Sequence, residues 1–194
     1  MVAAIVLAAG ASRRFGSQKL LAPLHGKPIV RWAVENVLAA RPDEVIVVLG
    51  REGDAVREAL SGLAVRFVVN DRWAEGMSAS LSAGISALPV GTDAALIALG
   101  DQPGVDASVM AGLINAQTEG GRPIVAPSYR GERGNPVIFG MEIFPELLEV
   151  QGDRGARDVI ARDPSRVMLV DYDRQSPVDV DTEGELKLAG DRPF

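Results

Sequence analysis

Residues 2–21, VAAIVLAAGASRRFGSQKLL, run from an unbroken apolar segment into Ala8, Ala9 and Gly10, then into two arginines and a lysine. An apolar run with no polar alternation reads as a strand buried on both faces, and such strands belong to parallel sheets covered by helices on each side. Small residues at its end let a ligand approach backbone N–H groups closely. Arg13, Arg14 and Lys19 can neutralise phosphate charge, arginine through paired donors. The same residues would also make a tight strand-to-helix turn with solvated basic side chains, and on these residues alone the two readings stand level. Arg13 and Arg14 are adjacent, so one of them is expected to face the site, and we assign that place to Arg13. The loop is not a Walker A motif, because five residues separate Gly10 from Gly16 and Lys19 does not follow the second glycine.

Beyond this stretch, apolar runs alternate with amphipathic ones. Strands are expected at 2–7, 44–50, 64–69, 94–100, 123–127, 136–140 and 166–170. Helices are expected at 28–40, 53–62, 77–88, 106–118, 141–150 and 154–162. The alternation predicts one α/β domain with a mostly parallel central sheet and helices on both faces. YRGERGNPVIFG (129–140) breaks the rhythm and reads as a loop or hairpin inserted at one end.

At 194 residues the chain is long enough for one well-buried domain. Its 47% hydrophobic and 24% charged residues are an ordinary soluble composition. The net charge of -6 argues against broad nucleic-acid binding. The absence of cysteine excludes disulfides, thiolate zinc sites and cysteine nucleophiles. The one histidine, His25 in PLHGKP, reads as a turn residue. Positive charge follows the first apolar run instead of preceding it, unlike a signal peptide, and no run nears the roughly 20 residues of a membrane span. A cytoplasmic location with no membrane contact is the simplest expectation.

Three further clusters fall at expected strand or helix ends. Asp101, in ALGDQP, ends a fully apolar strand. It can hold Mg²⁺, which takes one or two protein carboxylates and completes its shell with water and phosphate oxygens, or it can help form the turn before Pro103. Asp179 and Asp181 flank Val180 in PVDVDTEGEL and share one side of an extended backbone. They can supply a second metal carboxylate, or Asp181 or Thr182 can cap a last helix. In EGMSASLSAG, Gly76, Ser78 and Ser80 can contact a base or ribose, or make a small-residue helix start; the flanking glycines of a nucleophile elbow are missing.

Taken in order, LAAGASRRFGSQKLL, GMSASLSAG, GDQP, RGNPVIFG, GDRGARDVI and DVDTEGEL resemble the molybdenum-cofactor nucleotidyltransferases, the cytidylyltransferase branch above all, over nearly the whole chain. The resemblance implies a single Rossmann-like nucleotidyltransferase domain over 1–194, an NTP substrate and Mg²⁺. It places nucleotide contacts at Leu7, Ala8, Ala9, Gly10, Arg13, Lys19, Gly76, Ser78, Ser80 and Asp101. Lys19, Arg13 and Asp101 would be catalytic. The metal would sit at Asp101 with Asp179 and Asp181, and the acceptor side at Gln102, Asn135 and Pro136.

The implied reaction is attack by the terminal phosphate of molybdopterin on the α-phosphorus of CTP, with loss of pyrophosphate. That nucleophile is already ionised and needs no general base. Ala9 points to CTP, since the guanylyl branch tends to carry a second glycine there. A transient contact with a molybdoenzyme or its chaperone would follow. Two positions depart from the family pattern: Asn135 stands where His is common, and Glu183 follows Thr182 where Pro is usual, with the second aspartate replaced around Glu185. Guanylyl or sugar-phosphate transfer on the same fold, or a nucleotide-binding module without turnover, are the alternatives.

Overall fold

A computed structural model describes residues 1–10, 19–120, 122–177, 180 and 184–186. In chain order they form β1 (Val2–Ala8), β2 (Pro23–Leu24), β3 (Lys27–Pro28), α1 (Ile29–Ala39), β4 (Glu44–Leu49), α2 (Gly53–Ala59), β5 (Arg66–Val69), α3 (Met77–Ser86) and β6 (Ala94–Leu99). After these come α4 (Ala107–Thr118), β7 (Ile124–Tyr129), β8 (Glu132–Arg133), β9 (Val137–Gly140), α5 (Phe144–Leu148), α6 (Arg157–Arg162) and β10 (Val167–Tyr172). The main sheet runs β10-β7-β9-β6-β1-β4-β5, with β8 added to β7. β1 lies at its centre, parallel to both β4 and β6, as its unbroken apolar sequence predicts.

Alternation along β1 divides the core. Val2, Ala4, Val6 and Ala8 face α1, α2 and α4, packing on Val34, Val56 and Leu113; Ile5 and Ala9 face α3, α5 and α6, packing near Leu81, Leu147 and Ile160. The expected α/β fold with a mostly parallel sheet and helices on both faces is the fold observed. α3 lies close on the sheet because Gly84 carries no Cβ; one there would come within 2.6 Å of Ile5 Cγ2. His25 and Gly26, both at positive φ (48° and 79°), turn the β2–β3 hairpin, the geometry of a type I′ turn.

The inserted segment is a hairpin and more. β8 folds back on β7, and β9 then runs antiparallel between β7 and β6, inside the sheet. Antiparallel direction brings the start of β9, with Asn135 just before it, to the end of the sheet where β6 finishes, since Val137 pairs with Ile97. Two expected helices are shorter than the pattern indicated. Residues 141–143 form a 3-10 turn before α5, whose second residue is Pro145, and Gly155 (φ 55°) separates a 3-10 turn at 152–154 from α6.

Candidate active site

Open α/β sheets bind ligands beyond the carboxyl ends of their strands. A cleft of about 960 Å³ lies there, between the sheet, α3 and α6, with Leu7, Ile97, Val137 and Phe139 in its wall. Leu7, Ala9, Gly10, Lys19, Gly76, Ser80, Asp101 and Asn135, all expected from the sequence, line it together. Ala8 packs in the core on the other face of the sheet, Ser78 and Gln102 are buried polar residues, and Pro136 is buried beside β9; none of these four lines the cleft. Arg13, Arg14, Asp179 and Asp181 lie outside the described residues.

The ends of β1 and β6 are drawn together by backbone contacts. Gly100 N–H donates to the Leu7 carbonyl at 3.0 Å. A Cβ on Gly50, after β4, would lie 2.7 Å from the carbonyl oxygen of Ala9, so only glycine lets the two loops meet. The turn after β6 closes through backbone bonds, Gln102 N–H to Leu99 and Val105 N–H to Gln102. The Asp101 carboxylate is therefore not spent on the turn. It meets Lys19 Nζ at 2.6 Å, with the two side chains 23% and 12% exposed.

Behind it, Val180 N–H donates to the Asp101 carbonyl at 3.2 Å, and the Val180 side chain is fully buried with Leu24 and Ile29. The residue between Asp179 and Asp181 is thus docked on Asp101. Among the described residues no group of three or more His, Asp or Glu gathers as a ready cation cage. The donors present fit a hard cation that completes its shell from water and substrate phosphate.

On the α3 side, Gly76 takes φ 110°, where a Cβ would strike Asp153 and stand 2.9 Å from the Gly152 carbonyl. Ser80 Oγ accepts from the Asn70 side-chain amide at 3.1 Å. Asn70 also accepts from Arg72 N–H at 3.0 Å and donates its own N–H to Leu49 at 2.8 Å. Asn70, which the motif reading missed, therefore ties the end of β4, the 70–76 loop and α3 into one wall. Its signal was an amide directly after the strand β5, at the head of the polar run Asn70, Asp71 and Arg72.

The opposite wall is the hairpin. Tyr129 Oη donates to the Asn135 carbonyl at 3.1 Å, and Gly134 N–H donates to Pro127 at 3.0 Å. A Cβ on Gly134 would lie 2.6 Å from the Tyr129 ring. Burial pushes the Tyr129 phenol up to about 12, so it stays a donor at any working pH. Arg133, on the hairpin, and Arg157, at the start of α6, also line the cleft. Neither was singled out from the sequence, although Arg157 stands in the GDRGARDVI motif and Arg133 opens RGNP.

The site is thus a small-residue strand end with a lysine–aspartate pair, facing an apolar-floored cleft at the carboxyl end of an α/β sheet. The chain belongs to the family of the MobA-like NTP transferase domain, whose model matches residues 4–167. It is 34% identical to the nicotine blue oxidoreductase of Paenarthrobacter nicotinovorans over 95% of this chain and 94% of that one. Among solved structures it is similar to Rv0371c of Mycobacterium tuberculosis H37Rv (TM-score 0.89, 27% identity, 98% of this chain and 97% of that one). It is also similar to the nucleotidyl transferase Mth528 of Methanothermobacter thermautotroptrophicus (TM-score 0.83, 30% identity, 98% and 96%). The chain is a nucleotidyltransferase of the MobA-like class. No helix among the described residues is long and apolar enough to cross a membrane.

Proposed function

We propose that the chain transfers CMP from CTP to the terminal phosphate of molybdopterin or its molybdenum-bearing form. An oxygen of that phosphate attacks the α-phosphorus of CTP, a new P–O bond forms, the bond to the β-phosphate breaks, and pyrophosphate leaves. The observation that carries the reading is the Lys19–Asp101 pair at the mouth of the small-residue loop. On NTP binding Lys19 exchanges its carboxylate for phosphate oxygens and offsets the charge that builds on the leaving pyrophosphate. Asp101, with Asp179 and Asp181, would hold the divalent cation, whose chemistry is to neutralise the reacting phosphates. A structure of Rv0371c (TM-score 0.85, 25% identity) is a manganese complex, which supports a divalent cation in this family.

CTP is favoured by Ala9, a cleft-lining residue whose methyl, in place of a glycine's hydrogen, would crowd a purine more than a pyrimidine. Loss of one polar contact to the base in a desolvated pocket costs about 1–3 kcal/mol, so discrimination of roughly tenfold or more is expected. The test is pyrophosphate release with molybdopterin and each of CTP, GTP, ATP and UTP. Equal kcat/KM for CTP and GTP, or a preference for GTP, overturns the cytidylyl assignment. The relative named an oxidoreductase supplies a second reading; transfer of electrons to or from a dye without pyrophosphate release would favour it.

A further inference from the structure

Arg133 ends β8 and Arg157 opens α6, from segments well separated in the chain, yet both line the cleft, and each guanidinium feels the other's charge. Among the described residues neither side chain makes a hydrogen bond or an ion pair, whereas the cleft's Glu75 is held by Arg72 and its Asp101 by Lys19. Asp153 also lines the cleft without an ion pair to either arginine. Desolvation of the guanidinium and the charge of Arg157 hold Arg133 below the ordinary arginine range. Two like charges lining one cleft, neither of them paired with a carboxylate, make a place that a bound anion would favour.

We propose that Arg133 and Arg157 form an anion subsite that receives the phosphomonoester of the acceptor. The inference rests on the nucleotidyltransferase reading of the cleft but not on which NTP or which acceptor body is used. A phosphomonoester near neutral pH carries most of two negative charges and must approach a triphosphate, which repels it. Arginine forks in the same cleft as Lys19 offset that repulsion and orient the attacking oxygen through paired N–H donors. Arg133 is held for this by its hairpin, since Tyr129 fastens the Gly134–Asn135 segment that follows it. Neutral alcohols gain nothing from the pair, so the subsite selects phosphorylated acceptors over their dephosphorylated forms.

The experiment fills the nucleotide loop first, with Mg²⁺ and whichever non-hydrolysable NTP analogue the wild type binds best. Inorganic phosphate is then titrated calorimetrically into wild type, Arg133→Gln and Arg157→Gln. Both arginines are exposed, so both variants are expected to fold, and circular dichroism checks this. Phosphate should bind the filled wild type and bind each variant about tenfold more weakly or worse, with the analogue's affinity within twofold throughout. A pterin phosphomonoester should displace it and the matching pterin alcohol should not. No phosphate binding to the filled wild type, unchanged affinity in both variants, displacement by the alcohol, or a parallel loss of analogue affinity would each overturn the subsite. A guanosine analogue binding best would instead overturn the cytidylyl reading and leave the phosphate titration to run as described.

Discussion

Replacing Asp101 by Asn keeps the size of the side chain after β6 and removes the charge that Lys19 faces at 2.6 Å. Turnover is expected to fall by about 10²-fold or more, with the far-UV spectrum unchanged; wild-type activity at limiting Mg²⁺ would remove Asp101 from the metal site. Lys19→Ala acts on the other partner. It should weaken NTP binding or slow transfer by far more than the roughly 0.5 kcal/mol of a surface change, read by calorimetry and by initial rates. Gly76→Ala is a conformational test at the same cleft. At φ 110° with Asp153 and Gly152 crowding the missing Cβ, the substitution should cost on the order of 1–3 kcal/mol in urea unfolding. A cost near zero would mean that the 152–154 turn gives way easily.

Helix α4 begins at a charged cap whose effect is pH-dependent. Asp106 Oδ1 accepts from Ser108 N–H at 2.7 Å, and that backbone bond is the main reason its carboxyl lies below the ordinary value of 3.8. A carboxyl lowered in the folded state stabilises above the unfolded-state pKa, and the contribution is lost as pH falls through the folded one. Asp106→Ala is therefore expected to cost about 1 kcal/mol at neutral pH, and the gap to wild type should narrow as pH falls below the ordinary carboxyl value. Tyr129→Phe removes only the hydroxyl that holds Asn135. It should raise KM for the acceptor several-fold and leave KM for the NTP unchanged, since the nucleotide wall is built from other elements. The seven longer strands were legible from their apolar runs, the two-residue β2, β3 and β8 were not, and helix ends failed where local chemistry intervened, at Pro145 and Gly155. The direction of β9 was not legible, because VIFG has no polar alternation to reveal its neighbours. Lys19, Asp101 and Asn135 could be expected from motifs, but the meeting of Arg133 with Arg157 is a tertiary event with no local signature.

For the whole molecule, a ligand that binds only the folded state stabilises it by about 2.7 kcal/mol at a hundred times its Kd. In a chain of this size that corresponds to a rise in Tm of roughly 5–10 °C. CTP with Mg²⁺ together should produce it, CTP with chelator much less, and differential scanning fluorimetry over the four NTPs would rank them. A uniform response to all four would contradict base discrimination. The same fold carries a liability during synthesis. β6, AALIAL, is an uncharged, proline-free segment that pairs with β1 on one side and with β9 on the other. Ile138, the partner of Leu96, leaves the ribosome only after all of α4 and β7. Until then one edge of this strand presents unpaired N–H and C=O groups to any other nascent chain. Fragments ending after α4 should precipitate, and the yield of soluble protein should depend on how quickly translation passes from residue 99 to residue 140.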